Sequence, residues 1–199
     1  MRELGPIVRL QVQRSALKNP SPPGAAHHRQ FDPAPLLEVP ALLLTADGVF
    51  GLPDDQQPVV DVHNTAHPAT RNSVINGVSI GFTAHYAAIA DRFGEHLGLG
   101  VAGENVIIRS QGIVDEASVA AGLAIKTANG YLVPLTAVQV AEPCVEFTRY
   151  ALQLGQSEPS NEHVTDGLRF LRHGVRGFYA TYAGDEVVLR TGDLVFAVG

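Results

Sequence analysis

Turn dipeptides punctuate this chain so closely that few long elements fit between them. Asp47-Gly48 separates the apolar residues 41–45 from 49–52, and Asn129-Gly130 separates residues 123–127 from 131–135. Both dipeptides tolerate the positive φ angles of a tight hairpin turn. A third pair of runs, residues 178–182 and 186–189, flanks Ala183-Gly184-Asp185, and residues 194–198 follow a turn at Thr191-Gly192-Asp193. Residues 7–13, IVRLQVQ, alternate with period two. Ile7, Arg9, Gln11 and Gln13 fall on one face and Val8, Leu10 and Val12 on the other, which predicts a strand. Many short strands joined by short turns predict a mainly β fold, a barrel or sandwich, rather than a parallel α/β sheet. The 20 glycines and 13 prolines suit that reading.

A few short helices are expected beside the strands. Thr83 is the expected N-cap of the first, with Tyr86, Ile89, Ala90, Phe93 and Leu97 on one face and Gly98 or Gly100 ending it. Residues 145–154 predict a second helix. Residues 161–172, with Val164, Leu168 and Leu171 on one side, predict a third that ends at His173-Gly174. Residues 21–30, SPPGAAHHRQ, carry adjacent prolines and no apolar period, and are expected to form an exposed loop. At 199 residues, 45% of them hydrophobic, the chain is expected to form one domain over residues 1–199 with a full core.

Charge and cysteine content narrow the function. A net charge of -6 supplies no positive field for a nucleic-acid backbone or an anionic membrane, so any anionic ligand must meet a local arginine cluster. Residues 1–13 lack a continuous apolar stretch and no later run reaches a membrane span, so a cytoplasmic protein is expected. The single cysteine, Cys144, excludes an internal disulfide, an all-thiolate zinc site and a self-contained iron–sulfur cluster. In any redox reaction the electrons must therefore come from a partner protein.

Cys144 follows the β-like residues 135–140 and a rigid Pro143, and precedes a predicted helix. A thiol at a helix N-terminus meets unpaired N–H groups and a favourable dipole, which raise its nucleophilicity and metal affinity. The alternative is a buried, inert cysteine serving as a small apolar residue. Gly103-Glu104-Asn105 is expected to turn the chain into a strand at residues 106–108. Its polar groups serve either a ligand or buried backbone partners.

Taken in order, these segments resemble a MOSC domain, the molybdenum-cofactor sulfurase C-terminal type. The resemblance rests on Asp61-Val62-His63 ahead of Arg71, the strand-to-helix junction at residues 78–86, and GVAGENVII at residues 100–108. It also includes Pro143-Cys144, Arg176-Gly177-Phe178-Tyr179 and the closing GDLVFAV of residues 192–198. It runs from about residue 7 to residue 198. It implies a MOSC-type β-barrel with a few short flanking helices that binds the molybdenum cofactor. Cys144 would then be metal ligand or sulfur carrier, since a soft thiolate suits either part. His63, Arg71, Gly103, Glu104, Asn105 and Arg176 would line the cofactor site. Many relatives carry His-Gly-Gly where this chain has His63-Asn64-Thr65, which implies a different backbone there. Arg71, Arg149, Arg169, Arg172 and Arg176 are the candidates for a phosphate clamp, and Arg71 and Arg176 are preferred because they flank the matching segments.

The resemblance implies sulfur transfer through a Cys144 persulfide or reduction of N-hydroxylated compounds. The first needs a separate cysteine desulfurase. The second, an N-hydroxylamine reductase, needs a separate flavin or iron–sulfur electron donor, because the chain carries no dinucleotide fingerprint or ferredoxin cysteine set. A non-catalytic cofactor carrier and a family member that binds nothing are the non-enzymatic readings. A zinc-binding protein using His63, His67, His85 and Cys144 is the competing metal reading.

Overall fold

The computed structural model describes residues 1–19, 29–70, 77–155, 158 and 162–199. Its strands are β1 (Arg2–Gln13), β2 (Lys18–Asn19), β3 (Gln30–Phe31), β4 (Leu36–Glu38), β5 (Ala41–Thr45), β6 (Gly48–Leu52) and β7 (Val59–Val60). They continue as β8 (Val78–Phe82), β9 (Val106–Ile108), β10 (Leu123–Lys126), β11 (Leu132–Val140), β12 (Phe178–Thr181), β13 (Val187–Arg190) and β14 (Leu194–Ala197). The helices are α1 (Thr83–Phe93), α2 (Glu116–Val119), α3 (Val145–Ala151) and α4 (Glu162–Phe170). With 36% strand against 17% helix, the fold is mainly β.

β1 organises the architecture because it pairs in three places. Its start pairs with β14, its middle with β9 and its end with β4. The order β14-β10-β11-β12-β8-β9-β1, closed by β1 against β14, makes a seven-stranded barrel. Every pairing in the barrel is antiparallel except β8 with β9. A parallel pair needs a long crossover, and α1 with residues 94–105 supplies it. Beside the barrel lies a four-stranded antiparallel sheet, β13-β5-β6-β7, and β2 pairs with β3.

Two apolar clusters result. The barrel interior holds Leu10, Ile80, Phe82, Leu123, Phe178 and Val195, each almost wholly buried. The second cluster packs Tyr86 and Ile89 of α1 against Ile107, Phe147, Ala151 and Leu171, with Cys144 at its margin. No helix among the described residues is long and apolar enough to cross a membrane.

The hairpins at Asp47-Gly48 and Asn129-Gly130 form as expected, pairing Thr45 with Gly48 and Lys126 with Leu132. Four expectations need correction. The strand through residues 7–13 starts at Arg2, and a register shift between Ile7 and Arg9 breaks its alternation. The shift brings Ile7 to the interior that also holds Leu10 and Val12, while Gln11 and Gln13 are buried and donate to the carbonyls of Gly100 and Gly103. Residues 178–182 and 186–189 form no hairpin. β11 and β8 occupy both edges of β12, so the turn at Ala183-Gly184-Asp185 carries the chain out to β5 of the other sheet.

α1 begins one residue early, with Phe82 as N-cap, because the Thr83 hydroxyl accepts from Ser110 N–H instead of capping. Its end lies at Gly94 rather than Gly98 or Gly100. In the expected loop at residues 21–30, positions 21–28 lie outside the described residues, and Gln30 belongs to β3, paired with Asn19.

Candidate functional site

Cys144 is the N-cap of α3. Pro143 precedes an extended Cys144 with φ -111° and ψ 153°, and the sulfur accepts a 3.4 Å hydrogen bond from Phe147 N–H. The residue is half-buried. Burial works to raise the Glu146 pKa. Its own N–H and the charges of Lys18 and Arg29, at 3.4 and 3.1 Å, outweigh that and hold the carboxyl below its ordinary value.

Arg176 lies on the segment between α4 and β12. Its guanidinium lies 5.3 Å from the centre of the Phe147 ring, donates at 2.8 Å to Glu104 Oε1 and donates to the Ala102 carbonyl. Glu104 is 2% exposed, and its other oxygen accepts from the Tyr86 hydroxyl at 2.5 Å. Burial opposes the Arg176 charge, but Glu104 foremost among its neighbours outweighs it and raises the guanidinium pKa. Cys144 and Tyr179 are among the groups that act on that charge. Burial, reinforced by Glu104, raises the Tyr86 hydroxyl well above its ordinary value, so it stays a donor. Arg176 therefore acts at this site as a fixed charge, with part of its fork already engaged, more than as an open clamp.

A second buried network holds His63 and Asn105. Asp61, 0% exposed, accepts from Gln13 N–H and the Asn105 amide on one oxygen, and from His63 N–H and the His63 ring on the other. The ring contact, at 3.0 Å, makes His63 Nδ1 the donor and fixes the tautomer. The Asn105 amide also donates to the Gln11 carbonyl, and its oxygen accepts from Ser79 N–H at 3.0 Å and the Ser79 hydroxyl at 2.8 Å. Both donors and both acceptor positions of this amide are thus used inside the protein. At Gly103 a Cβ would fall 2.7 Å from Gln13 Nε2 and from Leu17 Cδ1. The close backbone approach it permits is to β1 and its following turn.

The folded chain brings Arg176, Glu104 and Tyr86 together through hydrogen bonds, and Cys144 packs at the margin of the apolar cluster that holds Tyr86 and Phe147. The His63 ring reaches the Tyr179 ring at 6.5 Å between centroids. Arg71 lies outside the described residues. Arg149 is buried and donates to the carbonyls of Gly155 and Glu158, while Arg169 and Arg172 are exposed on or after α4. The expected zinc set does not form, and among the described residues no group of three or more His, Cys, Asp or Glu could hold a metal. His85 is buried with Nε2 accepting from Val114 N–H, and the His67 ring bonds the Arg14 carbonyl and Ala69 N–H.

Cavities of about 390, 280 and 840 Å³ open elsewhere, and none has Cys144, His63 or Arg176 in its lining. The 280 Å³ cavity borders α3 at Glu146, Arg149 and Tyr150. Sequence reasoning counted Tyr86 only as an apolar helix residue. Its polar part depends on a contact with Glu104 across the α1–β9 crossover, for which no local pattern exists.

No family model matches the sequence, and no curated protein matches it closely. Solved structures do share the fold. The YuaD protein from Bacillus subtilis, at 14% identity and a TM-score of 0.50, covers 95% of this chain and is itself covered over 96%. YiiM from Escherichia coli, at 15% identity and a TM-score of 0.50, covers 82% of this chain, which spans 65% of YiiM. A protein described as hypothetical, at 13% identity and a TM-score of 0.54, covers 98% of this chain and is covered over 68%. The likeness to YuaD and YiiM shows that this chain shares their fold.

Proposed function

We propose that this chain is a molybdenum-cofactor-binding protein of MOSC type whose chemical centre is Cys144, acting in sulfur transfer or in reduction of N-hydroxylated compounds. The observation that carries the reading is the half-buried Cys144 at the start of α3, its sulfur bonded to Phe147 N–H, with the Arg176 guanidinium over the ring of that same Phe147. A single soft sulfur donor next to a fixed cation suits a thiolate-ligated metal whose other ligands come from an anionic cofactor. Cys144 would hold the metal, Arg176 would offset negative charge, and His63, fixed by Asp61, would present its ring toward the same side as Tyr179. Bound there, the cofactor would supply a redox-active metal.

In the sulfur-transfer branch, the Cys144 thiolate attacks the terminal sulfur of a desulfurase persulfide. A new S–S bond forms at Sγ, the donor's S–S bond breaks, and the donor cysteine leaves as thiolate. In the reductase branch, two electrons from a flavin or iron–sulfur partner and two protons convert a hydroxylamine to an amine and water. Molybdenum and pterin analysis of protein made in a cofactor-producing host tests the binding claim, with Cys144→Ser alongside. Metal and pterin in the native chain and loss of metal in the variant are expected, and their absence from both rejects the reading. Intact mass after exposure to a desulfurase, +32 Da for one sulfur atom, and amine yield with added electron donors separate the branches. Bound cofactor with neither outcome leaves the carrier role.

A further inference from the structure

α3 buries a cation that the chemistry at Cys144 does not use. Arg149 is 5% exposed, and its Nη2 donates to the carbonyls of Gly155 and Glu158 at 2.6 and 2.7 Å. Nη1 is shielded from solvent and has no partner. Among the described residues no carboxylate forms an ion pair with this guanidinium. A guanidinium cannot shed its proton, so burial here leaves an unused donor and a charge without a counter-charge, both of them costly. An anion would relieve both.

Arg149 lines the cavity of about 280 Å³. Arg29 lines it too and pairs at 3.1 Å with Glu146, a carboxylate that Lys18 shares at 3.4 Å. Asp32, also in the lining, is engaged by the Asn19 amide and by Ala34 N–H. Three cations, Lys18, Arg29 and Arg149, stand against two anions, Glu146 and Asp32, which leaves one positive charge in a chain whose net charge is -6. The apolar part of the wall comes from Phe31 and Tyr150, with ring centres 5.2 Å apart. The volume falls just below the range that takes drug-sized guests, so the guest must be small.

We propose that this cavity binds a small organic monoanion, a single carboxylate or similar oxyanion group on an aromatic or apolar body. The oxyanion meets Arg149 and Arg29, because guanidinium groups recognise such oxygens through paired N–H donors. The body packs on Phe31 and Tyr150. One uncompensated positive charge in a partly dry site favours one negative charge over two. The site goes beyond the reading of Cys144 and does not rest on it, since Cys144 is not in the lining and neither metal nor pterin is required.

Benzoate is the probe, titrated at low salt into the full chain and followed by amide NMR shifts. Saturable shifts centred on Arg29, Gln30, Phe31 and Tyr150, with a Kd of about 1 mM or tighter, are expected. Benzyl alcohol, which keeps the ring and lacks the charge, should bind at least about tenfold more weakly, and Arg149→Met should weaken benzoate by about tenfold or more. Equal binding of benzyl alcohol, no saturation by about 20 mM benzoate, or inorganic phosphate binding where benzoate does not, overturns the proposal. Arg149 also holds the carbonyls of Gly155 and Glu158, so its variant is compared only with native circular dichroism. If it does not fold, Leu154→Trp decides, because it fills the cavity and leaves Arg149 in place. Unchanged benzoate binding in that variant overturns the proposal. The titration needs no cofactor, so absence of molybdenum and pterin would reject the proposed function without touching this result.

Discussion

Asn105 uses both amide donors and both acceptor positions to join β1, β8, β9 and Asp61 at 1% exposure. Removing its side chain would leave Asp61, Ser79 and the Gln11 carbonyl short of partners in a place water does not reach. Asn105→Ala should therefore cost about 2–4 kcal/mol in urea unfolding, more than its lost volume alone would predict. Gly177 makes a different demand. Its φ of +111° is costly for any side chain, and a Cβ there would sit 2.6 Å from the Ile80 carbonyl oxygen. Gly177→Ala should lower stability by about 2 kcal/mol or more in the same assay.

α3 separates chemistry from stability at one atom. Serine caps helices at least as well as cysteine, because its oxygen accepts the N–H bond that sulfur accepts at long range. Cys144→Ser should keep its unfolding free energy within about 0.5 kcal/mol of the native chain or exceed it. Any loss of metal or sulfur loading in that variant then reports chemistry and not folding.

α1 carries a pH-dependent term through His85. Burial lowers its pKa from 6.5 to about 4, with the Val114 bond and other backbone bonds offsetting only part of the effect. In the unfolded chain the imidazole takes up a proton below about pH 6.5, and in the folded chain it does so only near pH 4. The unfolded state binds more protons between these values, so the His85 contribution is complete above pH 6.5 and is lost as pH falls toward 4. The loss should reach about 3 kcal/mol. Urea melts of His85→Phe should show a stability lower by about 1–3 kcal/mol at pH 8, from the orphaned Val114 N–H, and a flatter acid limb than the native chain.

Closure of the barrel depends on the first residues of the chain. The pairs Arg2 with Ala197, Glu3 with Phe196, Gly5 with Val195 and Pro6 with Leu194 join β1 to β14, whose other edge is held by β10. Removing residues 1–6 should leave β14 with one partner and open the barrel along that seam. Hydrogen exchange at residues 194–197 is expected to speed up before that of β8 and β12, which keep both neighbours. Uniform protection across the barrel after that truncation would show that closure contributes little.

Turn dipeptides, period-two runs and one apolar helical face determined the class of fold, two hairpins, and the strand and helix flanking Cys144. Such features act between residues a few positions apart, where backbone sterics and side-chain spacing decide the outcome. Only the tertiary structure decided that the turn at residues 183–185 leaves the barrel, that β1 shifts register after Ile7, and that Gln11, Asn105 and Asp61 turn inward. It also decided that Tyr86, Glu104 and Arg176, drawn from α1, its crossover and the approach to β12, meet in one hydrogen-bonded row. The physical reason is the same in each case. A buried polar atom takes whichever partner the closed barrel leaves within reach, and that partner lies tens of residues away, beyond any pattern written along the chain.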